Sequence, residues 1–101
     1  MSTAQANPPA DRAAIMAAIL AAMPGNDIVN QRQRMLTAMQ KLGSVTTFEG
    51  SRFLDCYDPR ARVHELRQAG TRIKTVIRAE RTESGNIHRV GVYLLEGGAH
   101  G

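Results

Sequence analysis

The stretch most informative about the fold is residues 55–73, DCYDPRARVHELRQAGTRI. Asp58 is a favourable N-cap, and Pro59 at the first helical position loses no hydrogen bond that a helix needs. Gly70 is well placed to end this helix after Ala69. The expected buried side comprises Val63, Leu66, Ala69 and, beyond the helix, Ile73. The stretch therefore predicts a four-residue turn over residues 55–58, followed by a helix with one apolar face.

Upstream of the turn, Thr46-Thr47-Phe48-Glu49 has the pattern of a capping box. In such a box the Thr hydroxyl and the Glu carboxylate satisfy the first free amides of a helix reciprocally. This helix is short and reaches about Leu54. A longer helix precedes it, from about Asp27 or Asn30 to Leu42, with Gly43 behind it. Its apolar stripe comprises Met35, Leu36, Met39 and Leu42, and its expected solvent-facing side comprises Gln31, Arg32, Gln33, Arg34 and Gln40.

Downstream of Gly70 the pattern changes from helical to extended. Ile73–Arg81 and Ile87–Leu95 are rich in β-branched residues, and the turn-forming residues 82–86 separate them. This predicts a β-hairpin. With the short β-prone link Ser44–Thr46, the chain is α+β: two helices, a short strand, a helix, a tight turn, a helix and a hairpin. Two helices joined by about four residues match a helix-turn-helix.

The two ends differ from the rest in composition. Residues 1–9 are expected to be a disordered lead and residues 97–101 a flexible tail, around a main domain over residues 27–96. Residues 10–23 predict an extra Ala-rich helix, ended by Pro24-Gly25-Asn26. Its apolar stripe comprises Ile15, Met16, Ile19, Leu20 and Met23. That stripe needs a cover, either the domain's own helices or a second chain in a homo-dimer through residues 10–23.

Charge is concentrated in the centre of the 101-residue chain. The whole chain carries +4, whereas residues 30–92 hold twelve basic and six acidic side chains, a net charge of +6. Eleven of the thirteen basic residues are arginine, whose planar fork suits phosphates and guanine edges. An anionic partner is indicated, with nucleic acid as the leading candidate and ordinary solubility charge as the alternative.

Four segments together resemble a known family, the small winged helix-turn-helix domains common in bacteriophages and prophages. They are NQRQRML (30–36), TTFE (46–49), ARVHELRQAGTRI (61–73) and RVGVYLL (89–95). The third is the most specific, and residues 1–26 lie outside the resemblance. The chain departs from the family at the turn, where a Leu-Gly-Ile-like sequence is usual and this chain has Asp55-Cys56-Tyr57. The resemblance implies a winged helix-turn-helix fold, with the hairpin as its wing, and binding to double-stranded DNA.

Within that fold the helix beginning at Pro59 would enter the major groove. Arg62 is expected to pair with Glu65 instead of contacting DNA. Free amides at the start of the short helix would favour a phosphate. The expected base-contacting residues are Arg60, Ala61, His64 and Gln68. The expected phosphate-contacting residues are Thr46, Thr47, Arg52, Arg67 and, on the hairpin, Arg81 and Arg89.

Catalytic chemistry has little support. No third group is placed to orient His64 toward Cys56, so the single cysteine is expected to be a small buried thiol. The His, Cys and carboxylate positions show no metal-ligand spacing, and there is no Gly-rich phosphate loop, so we expect neither a metal site nor a cofactor nor an enzyme. One cysteine, no secretory signal and no membrane-length apolar run favour a cytoplasmic protein without membrane contact.

Two functions of different class remain. The first is a sequence-specific DNA-binding protein, a transcriptional regulator from a phage or prophage that would gain specificity as a dimer. The second is a protein-interaction module that uses the same helix face in phage replication, packaging or inhibition of a host factor. The fold alone does not decide between them.

Overall fold

The computed structural model describes residues 10–96, which form four helices and one three-stranded sheet. The helices are α1 (Ala10–Ala22), α2 (Ile28–Leu42), α3 (Thr47–Phe53) and α4 (Pro59–Gln68). The strands are β1 (Ser44–Thr46), β2 (Ile73–Arg81) and β3 (Ile87–Leu95). The predicted order of elements is therefore confirmed. The expectations for residues 1–9 and 97–101 lie outside the described residues.

Local sequence signals set the helix ends. Asp27 is the N-cap of α2 and accepts a hydrogen bond from the Asn30 N–H. Gly43 ends α2 with a φ of 86°, a conformation that glycine adopts without strain. Asp58 caps α4 by accepting from the Ala61 N–H at 3.2 Å, with Pro59 in the first turn. These ends agree with the sequence prediction to within a residue.

The capping box at the start of α3 is complete. The Thr46 hydroxyl accepts from the Glu49 N–H at 2.9 Å, and Glu49 Oε1 accepts from the Thr46 N–H at 3.0 Å. At the other end of α3, Asp55 takes a φ of 50° and the Cys56 N–H donates to the Gly50 carbonyl at 2.9 Å. Aspartate is one of the few side chains that tolerate this left-handed conformation. Asp55 thereby makes the reversal between α3 and α4.

The sheet is antiparallel, with strand order β1-β3-β2. The hairpin of β2 and β3 places Ile73 opposite Leu95 at its base and Arg81 opposite Ile87 at its far end. The short link before α3 is a true strand, which pairs with β3 through Val45 and Tyr93. This pairing ties the hairpin to the helices.

The core lies between the helices and the base of the hairpin. It contains mainly aliphatic and methionine side chains, as the low aromatic content requires. Its buried members include Met16, Met35, Met39, Val45, Leu54, Val63, Leu66, Ile73 and Tyr93. Within it, α3 approaches α4 closely at Gly50, where a Cβ atom would lie 2.8 Å from Met35 Sδ and 3.2 Å from Pro59 Cγ.

Helix α1 packs on the domain's own helices. Met16 and Ile19 are buried in the common core. Arg12 donates to both carboxylate oxygens of Glu49 at 2.7 and 3.0 Å, and to the Ser44 carbonyl at 2.6 Å. Of the two covers expected for the α1 stripe, the domain itself is confirmed for Met16 and Ile19, while Ile15 stays partly exposed.

Three expectations about exposure are wrong. Arg34, expected on the solvent-facing side of α2, is 0% exposed because four backbone carbonyls surround its guanidinium. Gln31, expected on the same side, is buried because its amide bonds the Asn26 carbonyl and the Tyr57 N–H. Ala69, expected in the core, is exposed because it caps α4 where the helix leaves the core.

Candidate nucleic-acid interface

The outward face of α4 carries the exposed polar side chains Arg60, His64 and Gln68. Val63 and Leu66 fix one side of the helix in the core. Arg60, His64 and Gln68 are therefore exposed on the other, and Ala61 is half-buried at its edge. Among residues 10–96 no carboxylate forms a salt bridge with Arg60. All four expected base-contacting residues thus keep some exposure, and Arg60, His64 and Gln68 are fully in the exposed class.

Glu65, the one carboxylate on α4, is neutralised. Its Oε2 accepts from the Arg62 guanidinium at 3.0 Å, and its Oε1 lies 3.3 Å from Arg32 Nη1 on α2. The expected pairing of Arg62 with Glu65 is confirmed, and Arg32 makes it a triad. The triad has a net charge of +1, so Glu65 does not reverse the positive potential of this face.

Arg67 joins α4 to the hairpin. Its guanidinium donates to the Ile73 carbonyl at 2.8 Å and to the Thr75 hydroxyl at 2.8 Å. Arg60, His64 and Arg67 follow the i, i+4, i+7 spacing, which places them in one stripe along the helix. Since Thr75 lies on β2, that stripe leads directly onto one face of the hairpin.

The same face of the hairpin carries Arg81 and Arg89. Directly opposite residues in an antiparallel pair share a face, as do residues two apart on one strand. Thr75 lies opposite Tyr93, Ala79 opposite Arg89 and Arg81 opposite Ile87, so all six share the face that Arg67 contacts. Lys74, Arg78, Glu80 and His88 occupy the other face, where Arg78 pairs with Glu80. Among residues 10–96 the register thus separates two arginines without a carboxylate partner from a neutralised pair.

On α3 and at its start, the expected phosphate-contacting residues Thr46, Thr47 and Arg52 differ in exposure. Thr46 is only 5% exposed, and both its hydroxyl and its N–H are occupied by the capping box. Burial removes Thr46 from any accessible surface. Thr47 is half-buried and donates to the Gly91 carbonyl at 3.3 Å. Arg52 is exposed, with its guanidinium 5.8 Å from the centre of the Phe48 ring and 5.6 Å from that of Phe53.

We define the basic surface as five exposed arginines on α4, the loop after it and the hairpin. They are Arg60, Arg67, Arg72, Arg81 and Arg89. Within the part of the chain that the structure describes, none of the five forms a salt bridge with a carboxylate. Sequence reasoning missed Arg72, although its place between the end of α4 and the first residue of β2 was a usable signal. A surface of this kind attracts a polyanion.

Three further features bear on catalysis, metal binding and membrane insertion. Burial raises the pKa of the Cys56 thiol to about 11, so the thiol is protonated at neutral pH and is a poor nucleophile. Residues 10–96 contain no group of three or more His, Cys, Asp or Glu side chains placed to hold a metal ion. None of the helices in this range is both long enough and apolar enough to cross a bilayer.

Comparison with known proteins agrees with this geometry. A family model described as a winged helix-turn-helix domain matches residues 30–97, more than half of the chain, and leaves α1 outside the match. No curated protein and no solved structure gives a significant match. Domains of this family are typically DNA-binding and non-catalytic modules. The chain therefore belongs to the winged helix-turn-helix domain family.

Proposed function

We propose that this protein is a sequence-specific double-stranded DNA-binding protein that regulates transcription. The observation that carries the proposal is the basic surface: Arg60 and Arg67 on α4, Arg72 in the loop after it, and Arg81 and Arg89 on one face of the hairpin, all without carboxylate partners in residues 10–96. Lysine and arginine side chains that replace the cations condensed on DNA supply most of the affinity for a duplex. The phage or prophage setting rests on the sequence resemblance alone.

In this proposal α4 lies in the major groove and reads base edges. Arg60 can donate two hydrogen bonds to guanine, and Gln68 can bond adenine in the same two-point manner. His64 lies between them on the exposed face, and the Ala61 methyl group can contact a thymine methyl. The long side chains are exposed and the helix beneath them is fixed by Val63 and Leu66, so the reading face is held rigidly.

The phosphate contacts come from residues beside the base-reading face of α4. Arg67 is already oriented by its bonds to Ile73 and Thr75, which leaves its remaining N–H groups to face a phosphate. Thr47 and Arg52 on α3, and Arg81 and Arg89 on the hairpin, complete the set. Thr46 is left out because it is buried.

A second copy would double the number of bases read. We propose that a homo-dimer forms through residues 10–23, using the side of α1 that stays uncovered. An apolar groove of about 540 Å³ between α1 and α2 is lined by Ile15, Ala18, Ile19, Ala22, Met23, Thr37 and Lys41. A two-fold dimer on DNA requires a site with two-fold symmetry. The symmetry of the bound sequence therefore reports the stoichiometry.

Selection of bound fragments from a random duplex pool tests the function. The expected result is enrichment of one short motif, palindromic if the dimer forms. Enrichment without any motif would contradict sequence-specific binding. No retained DNA even at low salt would contradict DNA binding itself, and would favour a protein partner for the same face.

A further inference from the structure

A large apolar side chain lies exposed at the far end of the hairpin, away from the core. Ile87 is 61% exposed, whereas the buried hairpin residues Ile73, Val92 and Tyr93 all lie near its base. Ile87 stands directly opposite Arg81, and Arg89 is two residues along the same strand. A branched apolar group is thus placed beside two arginines, on the face that continues toward α4.

The turn that carries this group is held in one shape by its own hydrogen bonds. The Thr82 N–H donates to the Asn86 carbonyl and the Gly85 N–H to the Thr82 carbonyl, each at 2.9 Å. The Arg81 guanidinium also donates to the Gly85 carbonyl at 2.9 Å. A hairpin end that is already ordered loses little conformational freedom when it binds.

If the hairpin contacted only the phosphate backbone of DNA, an isoleucine at position 87 would have no evident use. Threonine also suits an exposed strand and leaves less apolar surface in water than isoleucine does. The minor groove differs, because it accepts arginines where it is narrow and because apolar side chains there can insert between base pairs. Arginine and isoleucine side by side on a thin two-stranded ribbon match both requirements.

We propose that the hairpin enters the minor groove next to the α4 site and that Ile87 inserts into a base step there, bending the duplex. The inference rests on the proposed function. It predicts a preference for A·T-rich flanks that contain a flexible pyrimidine–purine step. Glu83 in the turn disfavours phosphate contact at the very tip, so the groove contact falls on Arg81, Ile87 and Arg89.

The test compares Ile87→Thr with Val76→Thr. Val76 is 41% exposed and lies on the opposite face of the same hairpin, and both changes keep a β-branched residue. Energy transfer between dyes at the two ends of a duplex that carries the selected site reports the bend. Matched circular dichroism spectra and unfolding midpoints establish that both variants fold.

Wild type and Val76→Thr are expected to bend the duplex by roughly 20–90°. Ile87→Thr is expected to lose most of the bend and to bind about tenfold more weakly. An unchanged bend with Ile87→Thr, or a straight duplex with wild type, would contradict the insertion of Ile87 into a base step while leaving DNA binding intact. Failure of wild type to bind any duplex would overturn both the proposed function and the insertion of Ile87.

Discussion

The guanidinium of Arg34 donates a hydrogen bond of 2.7 Å to the carbonyl oxygen of Leu54, the C-cap of α3. The same group bonds the carbonyls of Asp55, Gly25 and, at 2.6 Å, Met23, just past the end of α1. The carbonyl ends of two helices carry partial negative charge, which compensates this buried cation. Within residues 10–96 no carboxylate forms a salt bridge with Arg34. One side chain of α2 thereby fixes both the exit of α1 and the turn before α4.

Arg34→Ala should therefore be strongly destabilising. It leaves several buried carbonyls without a donor, and we expect a loss of at least about 3 kcal/mol in the free energy of unfolding. Arg32→Ala is the matched control, because Arg32 is half-exposed and its ion pair should contribute no more than about 1 kcal/mol. Urea unfolding followed by circular dichroism measures both. Equal losses for the two variants would show that the carbonyl cluster does not matter.

The Arg12–Glu49 pair makes stability depend on pH. Burial alone would raise the pKa of the Glu49 carboxyl, but the hydrogen bonds from Arg12 and the Thr46 N–H outweigh burial and hold that pKa below its usual 4.5. A lowered folded-state pKa contributes stability that is present above pH 4.5 and is lost as the pH falls through the folded value. Glu49→Gln should flatten this acid limb of a stability-against-pH curve. If the Glu49→Gln variant kept the same acid limb as wild type, the pH dependence would have to be assigned to another group.

Gly50→Ala tests the close packing of α3 on α4. Alanine in a helix normally gains up to about 1 kcal/mol over glycine. Here the new Cβ would lie 2.8 Å from Met35 Sδ and 3.2 Å from the rigid Pro59 ring. We expect a net loss of about 1–2 kcal/mol in the free energy of unfolding. Ser51→Ala, at the exposed neighbouring position, should cause no such loss. A stability gain in Gly50→Ala would mean that the Met35 side chain and the Pro59 ring can move aside at little cost.

Cys56 should report global unfolding. Its side chain is fully buried and its thiol pKa is raised to about 11, so a disulfide reagent at pH 7 meets neither an accessible thiol nor a thiolate. We expect negligible modification in the native protein and rapid modification in denaturant. Rapid labelling under native conditions would instead reveal local opening of the turn between α3 and α4.

The sequence predicted the features whose causes are local. Thr46, Glu49 and Asp58 each act on residues within one helical turn, so their capping roles could be inferred from spacing. The two strands of the hairpin and the turn between them were also predicted, whereas the register and the face shared by Arg81 and Arg89 come from the structure.

The missed features depend on contacts between distant residues. The backbone carbonyls that surround the buried Arg34 belong to residues 9 to 21 positions away in the sequence. Arg12 pairs with Glu49, which is 37 positions away. Helical spacing shows only which side of its own helix a residue occupies, so it predicted that Arg34 would face solvent. In the candidate site, spacing located the exposed face of α4, but only the structure separates free arginines from those held by Glu65 or Glu80.

The salt dependence of duplex binding by matched double variants tests the basic surface most directly. Arg81→Ala with Arg89→Ala removes two arginines that have no carboxylate partner among residues 10–96 and that are proposed to contact phosphates, whereas Arg32→Ala with Arg78→Ala removes two that are paired with carboxylates, at the same cost in formal charge. For the first variant we predict that the slope of log affinity against log salt becomes shallower by about two, and that the control stays close to wild type. Equal slopes for wild type and the Arg81/Arg89 variant would contradict the claim that this surface holds DNA.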